Sequence, residues 1–265
     1  MKIKIYQVDA FAERIFTGNP AAVCVLKDEW PDDSLMQNIA MEKNLSETAF
    51  VLNQSGQYHI RWFTPAVEVD LCGHATLASA FVIFNYLDIE EQQITFHSNS
   101  GTLKAMNAAD GITLDFPVCA LDEDDSEIDI ISRGLGFAPV KVFSGIDYVV
   151  VMPTESDVRL CQPDFGVLKG LATRGVVITA VGEDCDFVSR FFAPNIGIDE
   201  DPVTGSAHCM LAPYWSEKLG RKRLNAKQLS KRGGTLLCTV RGDRVLITGQ
   251  AVLYMIGEIN LCGVN

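Results

Sequence analysis

The feature that most constrains this chain is an internal repeat. Arg61-Trp62-Phe63-Thr64-Pro65-Ala66-Val67-Glu68-Val69-Asp70 lies over Arg190-Phe191-Phe192-Ala193-Pro194-Asn195-Ile196-Gly197-Ile198-Asp199 at an offset of 129 (190 − 61), with Arg, Phe, Pro and Asp identical. Upstream, Pro31-Asp32 followed by Leu35, Met36, Ile39 and Ala40 matches Pro163-Asp164 followed by Val167, Leu168, Leu171 and Ala172 at an offset of 132 (163 − 31), and Thr48-Ala49 finds Thr179-Ala180. One such match could be accidental. Several in the same order, at nearly one offset close to half of 265 residues, predict two similar domains in tandem. The boundary is expected between Pro117 and Asp129, giving domains 1–118 and 119–265, with the last strand a candidate to cross to the first domain. The charge run Asp122-Glu123-Asp124-Asp125 within it reads as a solvated linker or a helix start.

Both halves are strand-rich. β-Branched and aromatic runs between turn residues predict strands at 3–8, 22–26, 48–52, 58–63, 94–97, 103–106 and 112–116. The second half has them near Val142 and at 148–152, 176–181, 187–192, 235–240, 245–248 and 251–258, with Gly242-Asp243 as a hairpin turn. Each half has a short helix with an apolar stripe (Leu35, Met36, Ile39, Ala40; Val167, Leu168, Leu171, Ala172) behind an Asp cap. A second helix follows each repeated strand end. The first, from His74 through Leu87, is apolar on nearly every face and must be enclosed, most economically by a sheet that curls round it. The second, from Ser206, carries Pro213 in its interior and is expected to kink or restart there. The expected fold is α+β, two pseudo-repeated domains, each a curved, mostly antiparallel sheet wrapped round a central helix.

Composition narrows the function. With 22 Lys and Arg against 34 Asp and Glu, the net charge of −12 repels phosphates and anionic lipid, so a nucleic-acid role is disfavoured. The cysteines at 24, 72, 119, 161, 185, 209, 238 and 262 contain no Cys-x-x-Cys and read as reduced, mostly buried thiols. The N-terminal residues alternate like a strand and lack the apolar run of a signal peptide, so a cytoplasmic protein is expected. The longest uncharged segment, Leu71 to Leu87, contains His74 and Asn85 and falls short of the ~20 apolar residues of a membrane span.

In both halves the buried helix opens from a loop of small residues, Asp70-Leu71-Cys72-Gly73-His74-Ala75-Thr76 and Asp199 through Ala207 with Gly205-Ser206 at the entry. Exposed amides and the positive dipole end make such termini receptors for anions, and Gly73 and Gly205 would let a carboxylate approach; either glycine alone could equally serve a tight turn. Two related domains face to face would direct two such termini into one cleft. What breaks the symmetry is more informative. With Thr48-Ala49 laid on Thr179-Ala180, Glu47 aligns with Ile178; burial at a strand edge would raise its carboxyl toward neutrality for general acid/base work, unless it is a solvated or loop-capping glutamate. His74 stands at the mouth of the first helix, either to relay a proton or to cap it. Asp201 aligns with Cys72 at the 129 offset, so a two-thiol mechanism lacks its partner, and Asp201 could itself be an ordinary cap. A metal set of Cys72, His74, His208 and Cys209 has no usual zinc spacing. Gly18-Asn19-Pro20-Ala21-Ala22 lacks the Gly-Lys-Ser/Thr ending of a phosphate loop, and no Gly-x-Ser-x-Gly anchors a hydrolase triad.

Asp9-Ala10-Phe11, Phe16-Thr17-Gly18-Asn19-Pro20-Ala21-Ala22-Val23, Leu45-Ser46-Glu47-Thr48-Ala49-Phe50, Arg61-Trp62-Phe63-Thr64-Pro65, Leu71-Cys72-Gly73-His74-Ala75-Thr76-Leu77, Glu200-Asp201-Pro202-Val203-Thr204-Gly205-Ser206-Ala207-His208 and Pro213-Tyr214-Trp215 together resemble the phenazine-biosynthesis PhzF-like isomerases. The resemblance spans nearly the whole chain. It implies the diaminopimelate-epimerase-like fold, a biosynthetic isomerase working without a cofactor or metal, a small carboxylic acid as substrate, and a homodimer. In the family's characterised isomerase the Glu of the Ser-Glu-Thr motif moves a proton between carbons of a dihydro-hydroxyanthranilate, a role that falls to Glu47. His74, Asp201 and Ser206 carry over as assisting or substrate-binding groups, with Gly73 and Gly205 offering amides to the substrate carboxylate. An epimerase or racemase of an amino or hydroxy acid, or a protein-binding relative, are the alternatives.

Overall fold

A computed structural model describes residues 2–87 and 89–261. The chain divides into two compact units, residues 1–115 with 248–265, and residues 116–247.

In the first unit, β1 (Lys2–Ala10) pairs antiparallel with β2 (Asn19–Leu26). The chain crosses through α1 (Asp33–Lys43) to β3 (Glu47–Gln54), which lies parallel to β2, and turns back as β4 (Gln57–Phe63). After β5 (Glu68–Val69) on the end of β4, helix α2 (Gly73–Tyr86) carries the chain to β6 (Gln93–Ser98), parallel to β4. Hairpins add β7 (Gly101–Ala108) and β8 (Gly111–Pro117).

The second unit repeats this order behind a different entrance. Strand β9 (Asp122–Glu123) and α3 (Ile128–Leu135) precede β10 (Lys141–Ser144) and β11 (Tyr148–Val151). Helices α4 (Glu155–Leu160) and α5 (Phe165–Leu168) cross to β12 (Val176–Val181), parallel to β11, which turns into β13 (Phe187–Ala193) and β14 (Ile198–Asp201). Helix α6 (Gly205–Leu219) returns the chain to β15 (Arg223–Gln228), parallel to β13, and hairpins follow with β16 (Gly234–Arg241) and β17 (Arg244–Gly249). The final strand, β18 (Ala251–Asn260), pairs with β1 in the first unit. The fold is α+β and diaminopimelate-epimerase-like, two like units each built on a mostly antiparallel sheet and a central helix.

The pleat sorts side chains to the two faces of the first sheet. Ala22, Cys24, Leu26, Phe50 and Leu52 pack with Met36, Ile39 and Ala40 of α1. Residues of the opposite parity, Ala21 and Val23 of β2 and Ala49 and Val51 of β3, are equally buried but face the other way, toward α2. That helix packs against β1, β2, β3, β7 and β18, and its residues 74–80, 82 and 83 are buried. Ala, Ser and Thr at so many of these positions let strands approach on every side, and removing Leu77, Val82 and Ile83 from water contributes about 1.5–3 kcal/mol each.

Three expectations are corrected. Asp122-Glu123 is a short strand on β10, with Lys141 on the Glu123 carboxylate, so the acidic run is neither linker nor helix start. Helix α6 does not restart at Pro213 but continues as one helix from Gly205 to Leu219. Proline there has no N–H for the Cys209 carbonyl four residues back, and the Cys119 N–H takes that place at 3.1 Å. The repeat register also shifts. Arg61 faces Phe50 across the first hairpin and Arg190 faces Ile178 across the second, an offset of 128 (178 − 50), so Glu47 corresponds to Gly175 rather than Ile178. The helices begin 132 apart (205 − 73), so Cys72 corresponds to Thr204 rather than Asp201. Small insertions between elements moved the frame, and a single alignment offset could not follow them.

The repeated arginine is a structural clamp. Arg61 holds Glu68 of β5 and Asp33 at the start of α1 while lying over Phe63; Arg190 holds Glu200 of β14 and the carbonyls of Val158 and Cys161 while lying over Phe192. Five of the seven described thiols are buried and two half-buried; Cys262 lies outside the described residues. Among the described residues no helix is long and apolar enough to cross a membrane.

Candidate active site

Glu47 is the first residue of β3, of the same pleat parity as Ala49 and Val51, so its carboxylate points toward α2 at the end where that helix begins. Gly73 is the first residue of α2, His74 the second, and Cys72 the cap. The strand and the helix thereby bring Glu47, Cys72 and His74 together, with one carboxylate oxygen, one sulfur and one ring nitrogen all within 4.8 Å. His74 Nε2 lies 3.2 Å from Glu47 Oε2, within reach of a proton but off the line of a formed hydrogen bond. On the other side of the ring, the Asn19 side-chain amide is 3.2 Å from Nδ1 and Cys72 Sγ is 3.5 Å from it. The Glu47 side chain is 14% exposed, which leaves it a narrow opening to solvent.

Burial takes the His74 imidazole from its ordinary 6.5 down to about 3, so the ring is neutral at physiological pH. With the Asn19 amide donating to Nδ1, the single ring proton sits on Nε2, on the side of the ring nearer Glu47. These three donor atoms are the one grouping of metal-ligand type among the described residues. The four residues whose spacing argued against a metal set divide in the structure: Cys72 and His74 join Glu47, whereas His208 donates from Nδ1 to the Thr204 carbonyl at 2.9 Å inside the core of the second unit.

At the start of α6 the chemistry differs. Thr204, the cap residue, donates through Oγ1 to Asp201 Oδ2 at 2.5 Å. Gln228 at the end of β15 accepts from the Thr204 N–H at 2.8 Å and donates to the Asp201 carbonyl at 2.8 Å, which ties the last residue of β14 to the helix start. Gly205 is the first residue of α6. Ser206, the second, accepts from Arg174 Nη2 at 3.1 Å, and Arg174 also grips the buried Asp147. In neither unit does the cap residue's side chain close its helix. Where the first unit has Glu47, the second has Gly175, and a Cβ there would sit 2.5 Å from the Phe191 ring and 2.9 Å from the Phe192 carbonyl. The second unit has no room for a matching carboxylate.

Sequence reasoning passed over four of these residues. Asn19 was visible only as part of the Gly-Asn-Pro motif. Asp147, Arg174 and Gln228 carried no signal, because each acts on a partner more than twenty residues away.

One consequence can be measured directly. Burial holds His208 at about 4, with the bond to Thr204 opposing the shift, and His74 at about 3, against 6.5 for each in the unfolded chain. Below pH 6.5 the unfolded chain therefore takes up protons that the folded chain refuses, and stability is lost as the pH falls from 6.5 toward 4 and 3. Each histidine costs roughly 2 kcal/mol by pH 5. Urea unfolding at pH 7.5 and pH 5 should show the loss, and equal free energies at the two values would contradict the neutral, buried rings.

The family model described as phenazine biosynthesis-like protein (PhzC-PhzF) matches residues 8–257. A relative named as an uncharacterized isomerase of Pseudomonas aeruginosa is 51% identical, over 98% of this chain and 100% of its own. A crystal structure of a phenazine biosynthesis PhzF-family protein from Enterococcus faecalis superimposes with a TM-score of 0.95 at 46% identity, covering 98% of this chain and all of that one. A hydroxyproline epimerase from Agrobacterium vitis, at 12% identity and a TM-score of 0.64 over 98% of this chain and 93% of that one, shares the fold alone. With its model matched over nearly the full length and its members related at half identity, the chain belongs to the phenazine biosynthesis-like PhzC-PhzF family.

Proposed function

We propose that this protein is a cofactor-independent isomerase that moves a proton between carbons of a small carboxylic acid, with Glu47 as the general acid and base. The observation that carries the reading is the contact of Glu47 with a neutral, buried His74 at the start of α2. A carboxylate largely shielded from water can take a proton from carbon, hold it out of exchange, and return it to a second carbon of the same molecule. His74 keeps its Nε2 proton toward Glu47 and so supports the charged form between the two transfers. The amide of Gly73 and the positive end of α2 suit the substrate carboxylate. In the second unit the same reading gives Gly205 and Ser206 to substrate binding and Asp201 to proton handling. A two-thiol epimerase mechanism is less well supported, since the residue corresponding to Cys72 is Thr204.

The test is incubation with dihydro-hydroxyanthranilate and a panel of amino and hydroxy acids in deuterated water, read by NMR for product and for carbon-bound deuterium. Isomer formation by the wild type and not by Glu47→Gln supports the reading. Inversion of a single stereocentre with label uptake would replace it with epimerisation.

A further inference from the structure

The second unit contains a pair of thiols that the proposed chemistry does not use. Cys119 lies in the segment after β8, and Cys209 one turn into α6. Because Pro213 leaves the Cys209 carbonyl without its helical donor, the Cys119 N–H binds it at 3.1 Å. A main-chain bond of this kind brings the two backbones side by side, at a separation of the order that the ~4.4–6.8 Å Cα range of a disulfide requires. The two side chains are neighbours as well, each thiol acting on the other, while the Cys119 thiol donates to the Pro117 carbonyl and the Cys209 thiol to the Gly205 carbonyl, each at 4.0 Å. Cys119 is half-buried and Cys209 is 4% exposed, so Cys119 is the more accessible residue of the pair.

The geometry points to Cys119 and Cys209 as a peroxide-oxidisable pair, Cys119 the attacking and Cys209 the resolving thiol, that closes a reversible disulfide between the start of the second unit and α6. The neighbouring Cys209 thiol, aided by the Arg174 charge, holds the Cys119 thiol below its ordinary value and so favours the thiolate. The contrast within the chain is sharp: burial pushes Cys24 and Cys238 up to about 12 and Cys161 up to about 11. The Cys119 thiolate attacks one oxygen of a hydroperoxide, the O–O bond breaks, and the departing oxygen leaves as water, or as an alcohol from an alkyl hydroperoxide, with Cys119 left as a sulfenic acid. Cys209 sulfur then attacks Cys119 sulfur, the S–S bond forms, and the sulfenic oxygen departs as water with the Cys209 proton. Two thiols lose two electrons and one hydroperoxide gains them. A dithiol reductant reverses the step, as a reducing compartment would.

The experiment treats the full chain with hydrogen peroxide and reads mass, which keeps it independent of whether any substrate is turned over. Expected are the loss of two hydrogens per chain, a Cys119–Cys209 linked peptide on digestion without reductant, and recovery of both thiols with dithiothreitol. In Cys209→Ser the linked peptide is absent and Cys119 is captured by dimedone as the sulfenic acid. In the wild type, Cys119 should alkylate at pH 7 roughly tenfold faster than an unperturbed thiol of equal exposure. Full alkylation of both cysteines after peroxide treatment and unfolding, or a linked peptide joining Cys119 to any other cysteine or to a second chain, overturns the proposal.

Discussion

Glu47→Gln is expected to lower turnover of the isomerisation substrate by about 10²–10⁴-fold while leaving substrate binding within a few-fold of wild type. Glutamine matches glutamate in shape, and its carbonyl oxygen can still face the His74 Nε2 proton at the 3.2 Å separation, so the start of β3 and the mouth of α2 have no cause to rearrange. What is lost is the capacity to take a proton from carbon. A fall in kcat with KM nearly unchanged would identify a group that acts in the transition state. Turnover within tenfold of wild type, from a variant with the wild-type unfolding curve, would remove Glu47 from the chemistry.

The second large effect is on stability. Arg174→Met is expected to lower the unfolding free energy by about 3–5 kcal/mol. The Asp147 side chain, in the turn between β10 and β11, is wholly buried, and Arg174 is the cation that holds it, with Nε 2.9 Å from Oδ1 while the guanidinium lies over the Phe191 ring. Removing the guanidinium strands a carboxylate in the core and also deprives Ser206 of its donor. Adding Asp147→Asn to Arg174→Met should recover much of the loss, because a neutral amide costs far less to bury than a carboxylate. Urea unfolding of the single and double variants checks this; equal stabilities would show that the stranded charge is not what destabilises the single variant.

The comparison of sequence with structure is sharpest where the two units differ. Hydrophobic periodicity located α2, the strands on both sides of the repeated arginine and the return hairpins, because alternation and an all-apolar helix are local properties written in adjacent residues. Strand β15 went unread: Arg223-Leu224-Asn225-Ala226-Lys227-Gln228 alternates, but with one small residue and a glutamine on its buried face. Gln228 is buried because it bonds to Thr204 and Asp201, not because it is apolar. The acidic residues Asp122-Glu123 became a strand for a similar reason, since pairing with β10 and the Lys141 contact outweigh a weak local preference.

The sequence by itself determined the duplicated α+β architecture, the enclosure of α2 and the candidacy of Glu47, His74, Asp201 and Ser206, since motif order and residue type suffice for these. Tertiary structure alone decided that Glu47 meets His74 and Cys72, that its counterpart is Gly175 with no space for a side chain, that Asn19 sets the proton on the His74 ring, and that Cys119 answers the carbonyl Pro213 leaves open. Each of those depends on the register between strands and on contacts across long stretches of chain, and register is set by the packing of the whole sheet, which no local pattern records.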